Sequence, residues 1–145
     1  MPPASFPQPR LMSSTQIRYQ PFSPSAGGHT PGSVVFLDRK NKFLFAGDSV
    51  VSTPILIFDT YSSTVKEYAE GLKKLDKEDF ELIFPGHFLR PIGKAILHDL
   101  ITCADKIVEG TAKPEPIDFS HMSSEPAFLF KYGKGNIAYN DKHIC

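Results

Sequence analysis

The sequence predicts an α+β fold in αβ layers, with helices on one face of a mixed sheet. Two observations carry this reading. Short β-branched and aromatic runs recur at 33–38 (SVVFLD), 42–47 (KFLFAG), 80–84 (FELIF) and 127–140 (AFLFKYGKGNIAYN). Between them lie two stretches whose apolar residues repeat at helical spacing, 63–75 and 92–110. Strand runs separated by such stretches give the order β-β-α-β-α-β-β, with no internal repeat, and such an order layers helices on a sheet.

Each element has its own warrant. The polar run RKNK separates the first two strands and predicts a hairpin turn. The segment 49–62, SVVSTPILIFDTYS, reads as an apolar loop broken by Pro54. Thr64 and Glu67 match a capping box at the start of the first helix, where Val65, Tyr68, Leu72 and Leu75 share one face. In the second helix Ile96, Leu97, Leu100, Ile101, Ala104, Ile107 and Val108 form one broad stripe, and Gly110 is placed as the residue past its end. KPEP (113–116) reads as a linker, and Gly-Lys-Gly as the turn of a final hairpin. Residues 1–26 are different: rich in Pro, Ser and Gln and without period, they read as a disordered or foreign Pro/Ser-rich arm, and the folded unit as 27–145.

The chain has 145 residues, which sets one domain as the expectation. Sixteen Lys+Arg balance sixteen Asp+Glu, so no basic field argues for nucleic acid. No apolar run approaches the roughly 20 residues of a membrane span, and the N-terminus has no apolar signal core. Two cysteines, Cys103 and Cys145, make no disulfide framework. A cytoplasmic setting is the expectation, without nucleic-acid or membrane partners.

Three side chains stand in glycine-bearing turns beside the strands: His29 in GGHTPGS, Asp48 in AGD and His87 in PGH. All three are types that bind divalent metals. Glycine before each permits a tight turn and close backbone approach. Separations of 19 and 39 residues suit a site assembled from strand ends rather than a zinc finger.

GHTPGS, then FLFAGD, then LIFPGH, resembles the metallo-β-lactamase fold superfamily over roughly residues 27–140. The likeness is to its glyoxalase II-like and lactonase-like branch, where the bridging ligand is aspartate. The resemblance implies the C-terminal half of an αββα sandwich. It also implies metal-dependent hydrolysis of a thioester, lactone or related ester, with two zinc ions in intact relatives. By it His29 would ligate one ion, His87 the other, and Asp48 would bridge them.

The family's upstream His-x-His-x-Asp-His motif is absent: the histidines stand at 29, 87, 98, 121 and 143, no two of them one residue apart. A truncated or rearranged chain, inactive alone, is therefore the expectation. The alternative is a non-catalytic interaction module or gene remnant. A sheet missing its facing half would show water an apolar face carrying residues such as Val35, Leu44 or Ile83, which implies pairing with a second copy or with a separate N-terminal half. The other candidates read as structural. His98 lies on the polar side of its helix, His121 in a Ser-rich loop and His143 in the tail; Cys103 is buried and inert and Cys145 exposed. Ser33 and Ser49 have no adjacent base to make them nucleophiles.

Overall fold

The computed structural model describes residues 17–20, 35–58 and 62–145. His29 and the GGHTPGS turn lie outside the described residues, as do residues 1–16 of the arm. Along the chain run β1 (Ile17–Gln20), β2 (Val35–Asp38), β3 (Phe43–Gly47), β4 (Ile55–Ile57) and α1 (Val65–Asp76). They are followed by β5 (Leu82–Pro85), β6 (Ile92–Gly93), α2 (Ile96–Val108), β7 (Glu115–Ile117), β8 (Ala127–Tyr132) and β9 (Gly135–Tyr139). A short 3₁₀ turn, Asp141–His143, closes the chain.

The strands form two sheets, not the single one expected: β1-β2-β3-β5-β6 and β4-β9-β8-β7. The difference comes from two segments read as loop and linker. Ile55–Ile57 follows Pro54 directly and pairs in parallel with β9. Glu115–Ile117 pairs with β8 at the sheet's outer edge, where Pro116 needs no ladder partner on its far side. Within the N-terminal arm, β1 pairs antiparallel with β2 over four residues.

Both helices form where their patterns place them. The α1 capping box is complete: the Thr64 hydroxyl accepts from the Glu67 N–H at 3.1 Å, and the Glu67 carboxylate accepts from the Thr64 N–H at 3.0 Å. The second helix begins at Ile96 rather than 92, because Ile92 and Gly93 are taken by pairing with β5. It ends through Gly110, whose φ of +74° turns the chain into the left-handed region.

One core joins the two helices to both sheets. Val35 and Leu37 of β2, Leu44 and Ala46 of β3 and Ile83 of β5 pack in it with Ile55, Ile57 and Ile137 of the second sheet, and with the apolar stripes of α1 and α2. This corrects the expected open face. Val35, Leu44 and Ile83 are buried; the residues one step out of phase face away from the core. Phe36, Phe45 and Phe84 are register partners across β2, β3 and β5. The Phe84 ring stacks on Phe45 at 5.3 Å and meets Phe43 edge-on at 5.1 Å. Phe36 and Phe45 remain 40% and 44% exposed. Both sets are apolar in the sequence, so alternation alone could not say which one the helices cover.

Candidate functional site

Strands β3 and β5 are adjacent and parallel, so their C-terminal ends open at the same rim. In α/β sheets such rims are where ligands gather. Asp48 follows Gly47 at the end of β3. His87 follows Gly86 just after β5. The two turns are locked together: the Gly86 N–H donates to the Gly47 carbonyl at 2.9 Å. Gly47 has φ +52°, which a side chain would strain. A Cβ on Gly86 would lie 3.3 Å from the Gly47 backbone and 3.4 Å from Asp48 Oδ1. The glycines thus let the two turns close, and the result is a direct contact: His87 Nε2 lies 2.9 Å from Asp48 Oδ1, with both side chains open to solvent.

The chain beyond Asp48 is held from below. Ser49, Val50 and Val51 are buried, and the Tyr68 phenol donates to the Ser49 carbonyl at 2.8 Å. Tyr68 is completely buried, and that burial pushes its pKa well above the ordinary phenol value, so the hydroxyl stays a donor. Further on, the Asn136 amide donates to the Ser52 carbonyl at 3.1 Å. Between these anchors the chain walls a cleft of about 260 Å³ lined by Asp48, Val51, Thr53, Pro54, Ile55, Leu56 and His87.

Of the three residues singled out in the sequence, the structure brings Asp48 and His87 together; His29 lies outside the described residues. Among the described residues no third His, Cys, Asp or Glu joins the pair. His98 faces solvent 3.8 Å from the Asp76 carboxylate, and His143 Nδ1 sits 2.6 Å from the Asn140 side-chain oxygen. His121 is exposed, its ring 5.9 Å from that of Phe119. Cys103 is buried beside the Phe130 carbonyl, and burial pushes its thiol up to about 12, which makes it inert; Cys145 is exposed. The sequence reading missed Tyr68 as a support and 51–56 as a wall. The signal for the second was present: an apolar run meeting Pro54 fits a strand start as well as it fits a loop.

This fold and rim are similar to those of the metallo-β-lactamase superfamily. The family model, described as metallo-beta-lactamase superfamily, matches residues 24–87. The chain is similar to the acyl-coenzyme A thioesterase MBLAC2 of Gallus gallus, 31% identical over 102 residues, covering 59% of this chain and 36% of the relative. Its fold is similar to the crystal structure of a metallo-beta-lactamase family protein from Thermus thermophilus. That likeness has a TM-score of 0.52 and 19% identity, over 68% of this chain and 35% of that one. The chain spans about a third of the length of each. Among the described residues no helix is long and apolar enough to cross a membrane.

Proteins of this family typically depend on a metal. Asp48 and His87 are suitable donors in chemistry and closeness, but two donors fall short of the three that a catalytic zinc takes from its protein. The described residues therefore bring together two donor-type side chains and no third.

Proposed function

We propose that this chain carries part of the catalytic rim of a metal-dependent hydrolase that cleaves a thioester, lactone or related ester, with zinc as its metal. The observation that carries the reading is the Asp48–His87 contact at the ends of adjacent parallel strands, beside an apolar cleft. The likeness to a protein named as an acyl-coenzyme A thioesterase supports the substrate class. A bound divalent metal would supply a hydroxide at neutral pH and polarise the substrate carbonyl. This chain's own part is to hold Asp48 and His87 in one orientation, through the paired glycine turns and the Tyr68 support, and to offer the acyl group a dry wall. His29 enters the reading as a further ligand by family resemblance. Without the His-x-His-x-Asp-His motif the chain alone is inactive under this proposal. The test is hydrolysis of an acyl thioester and a lactone with added zinc, by the chain alone and mixed with a separately made N-terminal half carrying that motif. Activity in the mixture that Asp48→Asn abolishes supports the proposal; a mixture as inert as the chain alone opposes it.

A second reading, an interaction module, is favoured by a different observation. The Phe36–Phe45–Phe84 row leaves two large rings about two-fifths exposed. Apolar sheet faces pack against other sheets roughly 10 Å away, and the occupants that fit are a second copy or an N-terminal half. Sedimentation of wild type and Phe45→Ser separates them. A concentration-dependent dimer lost in Phe45→Ser assigns a second copy. A monomer that binds the N-terminal half only with Phe45 intact assigns that half. A monomer that binds neither removes the reading.

A further inference from the structure

We infer that a second copy of this chain completes a metal site, with one zinc ion held by Asp48 and His87 of each of two copies. The inference rests on the reading of these two residues as metal donors and names the partner they need. Their spacing is close to what zinc requires. Two donors at about 2.0–2.1 Å on a tetrahedral ion stand about 3.3 Å apart. His87 Nε2 and Asp48 Oδ1 stand 2.9 Å apart, so a small widening admits the ion. The spacing is not left to two flexible side chains, because the turns that carry them are joined by the Gly86 N–H on the Gly47 carbonyl. Another pair of the same types, His98 and Asp76, stands at 3.8 Å and bridges two separate helices.

The donor count then calls for a partner. A structural zinc takes four protein donors, and the described residues of one copy gather two and no third. Two copies related by a two-fold axis present the same patch to each other. An ion on that axis meets each donor twice, two carboxylates and two imidazoles, which makes four. Both side chains are within a partner's reach, His87 being 76% and Asp48 49% exposed. Beyond His87 the same turn holds out Phe88 and Leu89, the latter wholly exposed, an apolar surface for the second copy to cover.

Charge makes this pairing conditional on the metal. Without it the axis brings two Asp48 carboxylates together, and like charges at close range oppose association. The two positive charges of zinc balance the two carboxylates. Zinc binding and pairing are therefore linked, each strengthening the other. Pairing through the Phe36–Phe45–Phe84 row needs no metal, so zinc tells the two contacts apart.

The test is sedimentation of the metal-stripped 145-residue chain at rising zinc, with bound zinc counted by equilibrium dialysis. Cys145 is exposed and a thiolate is itself a zinc ligand, so every sample carries Cys145→Ser. The chain should be a monomer without zinc and a dimer once one zinc is bound per two chains. Raising the chain concentration tenfold should strengthen the apparent zinc affinity about tenfold. Asp48→Asn and His87→Ala should each raise the zinc needed for dimerisation by at least about tenfold, and His98→Ala should not. Absence of zinc binding overturns the inference. So does one zinc bound to a monomer, whether or not His29→Ala removes it. So does a dimer equally abundant without zinc, or one lost in Phe45→Ser and kept in His87→Ala. The two readings fail separately. Zinc at one per two chains, with no hydrolysis in the reconstituted mixture, supports the bridge while removing the hydrolase reading. Zinc at one per monomer, with hydrolysis in that mixture, removes the bridge and leaves the hydrolase.

Discussion

Tyr68, on the first turn of α1, donates its phenolic hydrogen bond to the carbonyl of Ser49, the residue after Asp48, across 2.8 Å. A helix reads as scaffold and a strand end as chemistry, yet this one bond ties the two. Both partners are buried, so the carbonyl has no water to turn to.

Tyr68→Phe removes the donor and keeps the ring. The Ser49 carbonyl is then buried without that partner, at a cost of about 1–3 kcal/mol. Chemical denaturation should show this loss with an unchanged slope, and exchange of the Ser49–Val51 amides should quicken more than exchange within α2.

The glycine turns should tolerate no side chain. Gly47→Ala places a Cβ at φ +52°, which strains an L-residue by about 1–2 kcal/mol. Gly86→Ala has ordinary backbone but meets the Gly47 backbone at 3.3 Å, so its effect falls on the spacing of Asp48 and His87. Thermal melts should therefore penalise Gly47→Ala more, while the His87 ring resonances should shift more in Gly86→Ala.

Asp38 closes the β2–β3 turn. Its carboxylate accepts from the Asn41 side chain at 2.7 Å and from the Asn41 and Lys40 backbone N–H groups at 3.1 Å each. These bonds, that of the Asn41 side chain first, hold its pKa below the ordinary aspartate value. A depressed folded pKa adds stability above the unfolded value and loses it as pH falls through the folded one. Asp38→Ala should thus be destabilising at pH 6 and close to neutral at pH 2, in melts run at both. Asp38 lies in a turn and is only partly buried, so the effect is small.

Much of this fold is written in local patterns. The Thr64–Glu67 box, the α2 stripe and Gly110 are short-range signals, and each appears where its pattern puts it. The nearness of Asp48 and His87 was legible only through motif order, because 39 residues separate them and β3–β5 pairing alone brings them together. The second sheet was not legible. Three-residue strands such as β4 and β7 are fixed by their partners, and Pro54 and Pro116 disguised them as breaks. The aromatic face was misassigned by one residue, because strands apolar on both sides leave the choice of face to the helices. The Val51–Leu56 wall depends on anchors 19 and 84 residues away in sequence, Tyr68 to Ser49 and Asn136 to Ser52, which no local pattern announces.

The central claim is that Asp48 and His87 act together as metal donors. Calorimetric titration of zinc into the 145-residue chain, beside Asp48→Asn, His87→Ala and His98→Ala, tests it most directly. The account predicts saturable zinc binding that weakens at least tenfold in each of the first two variants and is unchanged in His98→Ala, whose ring faces solvent on α2. Absence of zinc binding by the wild-type chain, or equal losses in all three variants, would contradict it.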